Sequence, residues 1–332
     1  MSKTNIPNRS LLVILVLIVA LMIALNPQRF PTLSNVISMA YQLPILAFLS
    51  LAMMMAMLSG GINLAIVSTA NLVGIVTALT LSSLTGGASA EAGIGTVMLA
   101  MLVGLAAGFA VGAVNGFLIA FLEIPSILTT LGMMTLLDGI NIVMTRGYTI
   151  SGFPGSLITI GNGAIAGVPV PFLLLIVAVL ILAVVLKRTA FGFSLYMMGS
   201  NYRATSFSNI DNRSIILREY LLSAFFSALT AFIMMGQLNS VKANYAESFL
   251  LVAVLACFLG GIDPFGGVGT VSGMVLSVVI LQVISTGVNL LRLDPFFIRS
   301  MWGFIIIIVI AVNHFAGRMR ERRQLQRLSG GG

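Results

Sequence analysis

Long apolar runs are the feature that most limits what this chain can fold into. Leu11–Leu25 and Phe172–Leu186 each contain fifteen consecutive residues without a polar side chain. Such runs are long enough to cross most of a hydrocarbon core about 30 Å thick. Of the 332 residues, 58% are hydrophobic and only 8% are charged, whereas about a quarter of the residues in a soluble domain are charged. The sequence therefore predicts an all-α polytopic membrane protein.

Polar breaks divide the chain into about ten predicted transmembrane helices. The eighth is short and ends at the glycine pair Gly260-Gly261. All ten belong to one transmembrane domain over residues 1–332, with halves at roughly 1–167 and 168–317 and a basic tail at 318–332. The helices are predicted near 11–26, 34–58, 62–82, 94–121, 126–144, 168–186, 215–237, 248–260, 268–290 and 297–316.

The basic residues indicate which side of the membrane the ends occupy. With ten spans both termini fall on one side, and twelve lysines and arginines lie there against five on the other. Because cytoplasmic loops carry the excess of Lys and Arg, both termini are predicted in the cytoplasm. The larger group is Lys3, Arg9, Lys187, Arg188, Arg203, Arg213, Arg218, Arg318, Arg320, Arg322, Arg323 and Arg327, and the smaller is Arg29, Arg146, Lys242, Arg292 and Arg299.

Two glycine pairs stand in similar surroundings. The stretch LSGGIN, which contains Gly60 and Gly61, recurs as FLGGID around Gly260 and Gly261. Related halves with matching helix interruptions are common in transporters and mark the route of the solute. We therefore predict two related halves with helices interrupted at these glycines. The alternative is that paired glycines only let helices pack closely.

Uncharged polar residues inside the predicted spans indicate a route for a neutral solute. The spacing of Asn63, Ser68 and Asn71 places them on roughly one helical face. The alternative is that such groups only bridge helices, and that Asp138 pairs with a buried amide or with Arg146. The predicted pathway residues are Asn63, Ser68, Asn71, Asn115, Thr129 and Asp138.

The chemistry that the chain lacks excludes several classes of function. One His, one Cys and nine acidic residues provide no His or Cys metal cluster. No lysine follows a glycine, which excludes the phosphate-binding loop of nucleotide hydrolases. We predict no enzyme activity, cofactor or metal in this chain. The net charge of +8 follows membrane topology, so no nucleic-acid partner is predicted either.

Five motifs in one order carry a resemblance to a known family. They are SGGINL at 59–64, GFL at 116–118 followed by EIPS at 123–126, TLGMMTLL at 130–137, KRTAFGFSLYMMGSN at 187–201 and LGGIDPFGGVGTVSG at 259–273. From Leu11 to Phe315 the chain resembles the ribose-type permeases of bacterial ABC sugar importers. The alternative is a stand-alone secondary carrier or channel for a small neutral solute.

The resemblance implies a permease subunit in a bacterial inner membrane. It implies three protein partners: a second permease of the same or a sister chain, a periplasmic substrate-binding protein and a cytoplasmic ATPase that carries ATP and Mg. Relatives transport ribose, other pentoses and hexoses, furanose sugars or autoinducer-2. The family pattern SGGIDLSVGS reads SGGINLAIVS here, an arginine common in the family is replaced by Asp138, and the ELD run before the second glycine pair reads LLV at 250–252. These departures prevent us from assigning ribose as the solute.

The segment between Lys187 and Ser214 is the longest internal cytoplasmic stretch and is the predicted contact with the ATPase. Asn201–Ser208 is predicted to form a short helix capped by Ser200 or Asn201. Ala204 and Phe207, three residues apart, would share the face that enters a groove on the ATPase. The alternatives are that this segment is a passive linker, and that the basic tail at 318–332 holds the ATPase. The predicted coupling residues are Gly199, Asn201, Arg203, Ala204, Phe207, Ser208 and Asp211.

Overall fold

The structure is a computed structural model that describes residues 8–208, 210–291, 294, 300–305 and 307–308. Helices dominate these residues, and the only strands among them are four of two residues each. The α-helices are α1 Asn8–Leu25, α2 Leu33–Leu58, α3 Ile66–Leu84, α4 Ile94–Ala120, α5 Ser126–Thr145, α6 Gly155–Asn162, α7 Val170–Arg188, α8 Ala190–Ser200, α9 Tyr202–Phe207, α10 Asn212–Leu238, α11 Phe249–Leu259 and α12 Val271–Leu290.

Eight of these helices are long and apolar enough to cross a membrane, which confirms an all-α polytopic membrane protein. They are α1 to α5, α7, α10 and α12, and each matches a predicted span. The short eighth span is also present as α11, with eleven residues. The predicted tenth span at 297–316 lies mostly outside the described residues, as does the tail at 318–332, so the count of ten stays a prediction.

Local hydrogen bonds fix the helix boundaries that the apolar pattern leaves open. The prediction that the third span begins at residue 62 is wrong by four residues. The backbone N–H of Ala65 donates to the side-chain oxygen of Asn63, and this turn delays α3 until Ile66. The helices α6 and α8 were also not predicted. Two small hairpins complete the fold: Ile150–Ser151 pairs with Ser240–Val241, and Ala164–Ile165 pairs with Val168–Pro169.

The core forms around α10, which packs against α2, α3 and α4. Nearly every residue of α2 from Leu43 onward is buried, whereas α1 lies at the periphery against α12. The close approach of α4 depends on glycines that recur every fourth residue and face α3 or α10. These are Gly104, Gly108, Gly112 and Gly116.

We predict that Gly112→Val destabilises the bundle by about 1–3 kcal/mol, the usual cost of overpacking. A side-chain carbon at Gly112 would lie 2.7 Å from the carbonyl oxygen of Tyr220 and 2.9 Å from Cβ of Ala224, so α4 and α10 would have to separate. The measurement is the thermal unfolding midpoint of the purified protein. Gly95→Val in the same helix, where nothing lies within 4 Å, is the control. Equal midpoints for the two variants would contradict this account of the packing.

Candidate functional site

Both glycine pairs lie between consecutive helices, and the structure brings their segments together. Gly60-Gly61 follows α2, and Gly260-Gly261 follows α11. The loop after the second pair reaches back to the first, because the N–H of Gly267 donates to the carbonyl oxygen of Leu58 over 2.9 Å. We call the segments 58–61, 199–200 and 263–269 together the glycine junction.

Gly199, at the end of α8, is the third component of the glycine junction. A side-chain carbon there would overlap the carbonyl oxygen of Leu58 and the amide nitrogen of Gly267, so only glycine fits between the two segments. Gly267, with φ +77°, packs in turn against the backbone of Ser200. A stretch of the predicted coupling segment therefore contacts both glycine segments through backbone atoms.

Hydrogen bonds hold the loop of the junction in shape. The carboxylate of Asp263 accepts from the N–H of Phe265 over 2.9 Å, and its N–H donates to the carbonyl of Val268 over 3.0 Å. From α8, the hydroxyl of Tyr196 donates to the carbonyl oxygen of Gly269 over 2.9 Å. Burial raises the pKa of this phenol, which keeps it a neutral donor across the physiological range. The side chain of Phe265 is 85% exposed.

The predicted short helix of the coupling segment is confirmed as α9, Tyr202–Phe207. Asn201 caps it, with its side-chain oxygen accepting from the N–H of Ala204 over 3.0 Å. Asn212 ties α9 to α10 by donating to the carbonyl oxygen of Tyr202 over 3.1 Å. The residues before α9, predicted as part of a cytoplasmic loop, form the helix α8.

Exposure divides the residues of α9 into two sets. Thr205 is buried, whereas Arg203 and Ala204 are exposed and Phe207 is 92% exposed. A large aromatic side chain so exposed on a short, capped helix is suited to a protein contact. After α9, Ser208 is exposed, and Asp211 caps α10 by accepting from the N–H of Ser214 over 3.2 Å.

Two of the six predicted pathway residues meet. The hydroxyl of Ser68 in α3 donates to the carboxylate of Asp138 in α5 over 2.6 Å. The amide of Asn141 donates to the backbone carbonyl of Ser68 over 3.1 Å, one turn further along α5. Asp138 is half-buried and its partner is a hydroxyl, not the Arg146 considered above.

Asn63 and Asn71 bind other elements, and Asn63 lies in the turn before α3, so the predicted single polar face of Asn63, Ser68 and Asn71 does not form. The amide of Asn63 donates to the hydroxyl of Ser223 in α10 over 2.9 Å. The amide of Asn71 donates to the backbone carbonyls of Ala243 and Tyr245 over 2.9 and 3.0 Å. That these residues also line the route stays a prediction.

Asn115 and Thr129 are buried, each with a side-chain oxygen that has no hydrogen-bond partner in the described part of the chain. Such oxygens are uncommon, because an unpaired buried polar atom is costly. Unpaired oxygens leave room for a further partner, which is compatible with their predicted place in the pathway.

One buried acidic residue was not among the residues singled out from the sequence. Glu219 in α10 is 0% exposed and accepts a hydrogen bond from the hydroxyl of Ser59 over 2.7 Å. It borders a cavity of about 310 Å³ beside the glycine junction, lined also by Gly61, Ser126 and Tyr220. Glu219 lies inside the predicted span 215–237. An ionisable residue within a span is by default a candidate for a functional role, so this position could have identified Glu219 from the sequence.

Residues 35–312 match the family described as "Branched-chain amino acid transport system / permease component". The chain belongs to this permease family. Over 304 residues, 91% of this chain and 90% of the relative, it is 32% identical to the ribose import permease protein of Bacillus subtilis.

Two further relatives cover most of the chain. The permease is 26% identical to the D-allose transport system permease protein of Escherichia coli over 305 residues, 92% of this chain and 91% of the relative. It is 30% identical to the autoinducer 2 import system permease protein of Photorhabdus laumondii over 277 residues, 83% and 79% respectively. No solved structure gives a significant match.

We predict that Asn71→Leu destabilises the permease by about 1–3 kcal/mol, because the carbonyls of Ala243 and Tyr245 lose their partner. The measurements are the thermal unfolding midpoint and the rate of proteolytic cleavage within residues 239–248. Ser83→Ala, on the exposed side of α3, is the control and should change neither. Unchanged stability with slowed uptake would instead place Asn71 in the route, as the sequence predicts.

Proposed function

We propose that this chain is the permease subunit of a bacterial ABC importer for a sugar or sugar-like solute. It lies in the inner membrane and forms the translocation pathway, while a separate ATPase binds ATP and Mg. The relatives named for import of ribose, D-allose and autoinducer 2 support the solute class. The uncharged polar groups of α3 and α5 suit such a solute.

The contact of Gly199 with both glycine segments is the observation that carries the proposed coupling. The chain lacks a phosphate-binding loop, so the work of ATP hydrolysis must enter through a protein contact. The exposed face of α9 provides that contact. Because α8 ends at the glycine junction, a displacement of α9 would reach the end of α2 and the loop between α11 and α12 through backbone atoms.

The basic residues support a cytoplasmic position for the junction and for both termini. Arg203, Arg213 and Arg218 lie on α9 or the first turns of α10, and Lys187 and Arg188 end α7, all at the end of the bundle that holds the coupling segment. The start of α1 lies at that end too, because Asn8 donates a hydrogen bond to Ser272 at the start of α12, directly after the junction loop.

The fold leaves room for the remaining partners. The face of α5 with Leu128, Leu136 and Val143 is exposed and apolar, which suits a second permease or the lipid bilayer. The residues at the opposite end of the bundle would receive the solute from a periplasmic binding protein. The two related halves, with their glycine pairs, complete the proposed architecture.

Reconstitution tests the proposed function. The permease in proteoliposomes should take up solute only with its ATPase, ATP and a binding protein. The genes beside that of the permease identify these partners, and the ligand of the binding protein identifies the solute. Uptake by the single chain driven by a pH gradient would overturn the proposal in favour of a secondary carrier.

We predict that Ala204→Asp releases the ATPase and lowers uptake at least about tenfold while the permease still folds. Aspartate in the first turn of α9 is compatible with the helix dipole, so the change acts on the surface. Copurification of the ATPase and uptake are the measurements.

Two controls separate the coupling surface from other basic contacts. Arg203→Gln, at the rim, should have little effect, since exposed ion pairs contribute about 0–1 kcal/mol. Deletion of residues 318–332 should also leave uptake largely intact, because a basic tail beside a membrane binds anionic lipid. If the deletion uncouples transport and Ala204→Asp does not, the exposed face of α9 is not the coupling surface.

A further inference from the structure

Glu219 presents an unpaired carboxylate oxygen in the interior of the permease. The hydroxyl of Ser59 occupies one oxygen, Oε1, at 2.7 Å. The other, Oε2, is buried and has no hydrogen-bond partner within the described ranges. An unpaired carboxylate is among the most costly groups to bury, so something must compensate it.

The cavity beside Glu219 gathers further oxygen atoms. A side-chain carbon at Gly61 would lie 3.1 Å from Oγ of Ser126 and 3.2 Å from the hydroxyl of Tyr220, so both hydroxyls surround the space that this glycine leaves open. The Tyr220 hydroxyl is buried and lies on the same side of the cavity as Oγ of Ser126. The volume of about 310 Å³ can hold an ion and several waters, each of which occupies about 30 Å³.

The charges around the cavity favour a cation. Its lining contains no lysine, arginine or histidine, and includes a second carboxylate, that of the exposed Glu123. The N-terminus of α5 reaches the cavity at Ser126, but a helix end supplies only about half a positive charge. An anionic ligand is therefore excluded, and one full positive charge is needed.

Two occupants could supply that charge, a proton and a metal cation. A proton on Oε1 could be donated to Ser59, whose own hydroxyl then donates to the carbonyl of Ala56 at 2.9 Å. That arrangement leaves Oε2 without a partner. A cation with coordinated water would contact Oε2, and its remaining ligands would be the hydroxyl oxygens beside it, which are oxygens of the kind that hard cations prefer.

We propose that Glu219, Ser59, Ser126 and Tyr220 form a site for a monovalent alkali cation at the glycine junction. A single buried carboxylate balances a single positive charge, whereas calcium sites usually combine several carboxylates. Glu123 at the mouth raises the local cation concentration. The site joins α2, α5 and α10 next to Gly60, so cation binding stabilises the arrangement of their ends.

The test uses the purified full-length permease in detergent, without ATPase or solute, so it is independent of the proposed transport function. The probes are ²²Na⁺ and ⁸⁶Rb⁺ in equilibrium binding, and thermal unfolding in NaCl, KCl or choline chloride at equal ionic strength. We expect one saturable ion per chain. At least one alkali salt should raise the unfolding midpoint by about 2 °C or more over choline chloride.

Substitutions assign the binding to this cavity. Glu219→Gln should abolish ion binding and the difference between salts, whereas Glu247→Gln, an exposed acid at the other end of the bundle, should change neither. Tyr220→Phe keeps the shape of the side chain and should weaken ion affinity several-fold, which tests the site even if Glu219→Gln fails to fold.

Three results would overturn the proposal. They are no saturable binding of either ion, binding that Glu219→Gln and Tyr220→Phe both leave unchanged, and an infrared band of a protonated carboxylic acid that disappears in Glu219→Gln. The last result would show that a proton, and no metal cation, neutralises Glu219.

Discussion

One backbone hydrogen bond, from the N–H of Gly267 to the carbonyl of Leu58, joins the two glycine segments of this permease. It can form only because Gly199 lacks a side chain, which would overlap both the carbonyl oxygen of Leu58 and the amide nitrogen of Gly267. The elements of the proposed mechanism meet at this contact. α2 ends at Leu58, α8 ends directly before the coupling helix α9, and the loop before α12 packs against the ends of both helices. A rigid backbone contact transmits displacement better than flexible side chains, which is why the junction suits coupling.

Away from the junction, buried polar groups connect helices that are otherwise held by apolar packing. Asn63 reaches α10, Ser68 reaches α5 and Asn71 holds the loop that follows α10. In a membrane the hydrophobic effect does not draw helices together, so close packing and such hydrogen bonds determine which helices become neighbours. The polar side chains of α3 and of the turn before it therefore have a structural role, whether or not the solute also touches them.

The sequence predicts the spans well and the junction poorly, for a physical reason. Long apolar runs indicate segments that are buried in lipid or in the protein core. They therefore predict the boundaries of the long helices to within a few residues. The turn at Asn63 depends on one side-chain hydrogen bond, and α8 lies in the stretch that the sequence predicts as a cytoplasmic loop. The contact of Gly199 with Leu58 and Gly267 spans long distances along the chain, and no local pattern encodes it. Glu219 was missed because Arg218-Glu219 reads like the charged end of a helix.

The most direct test is whether the coupling segment and the junction loop move as one body. Spin labels at Arg203→Cys and Phe265→Cys would report their separation in the assembled importer. A label at Glu91→Cys, in the segment between α3 and α4 at the opposite end of α3 from the junction, provides the reference. The native Cys257 is fully buried and would not be labelled. On addition of ATP, the account predicts a constant distance between residues 203 and 265, while both distances to residue 91 change. A distance between residues 203 and 265 that changes while residue 265 stays fixed relative to residue 91 would contradict it.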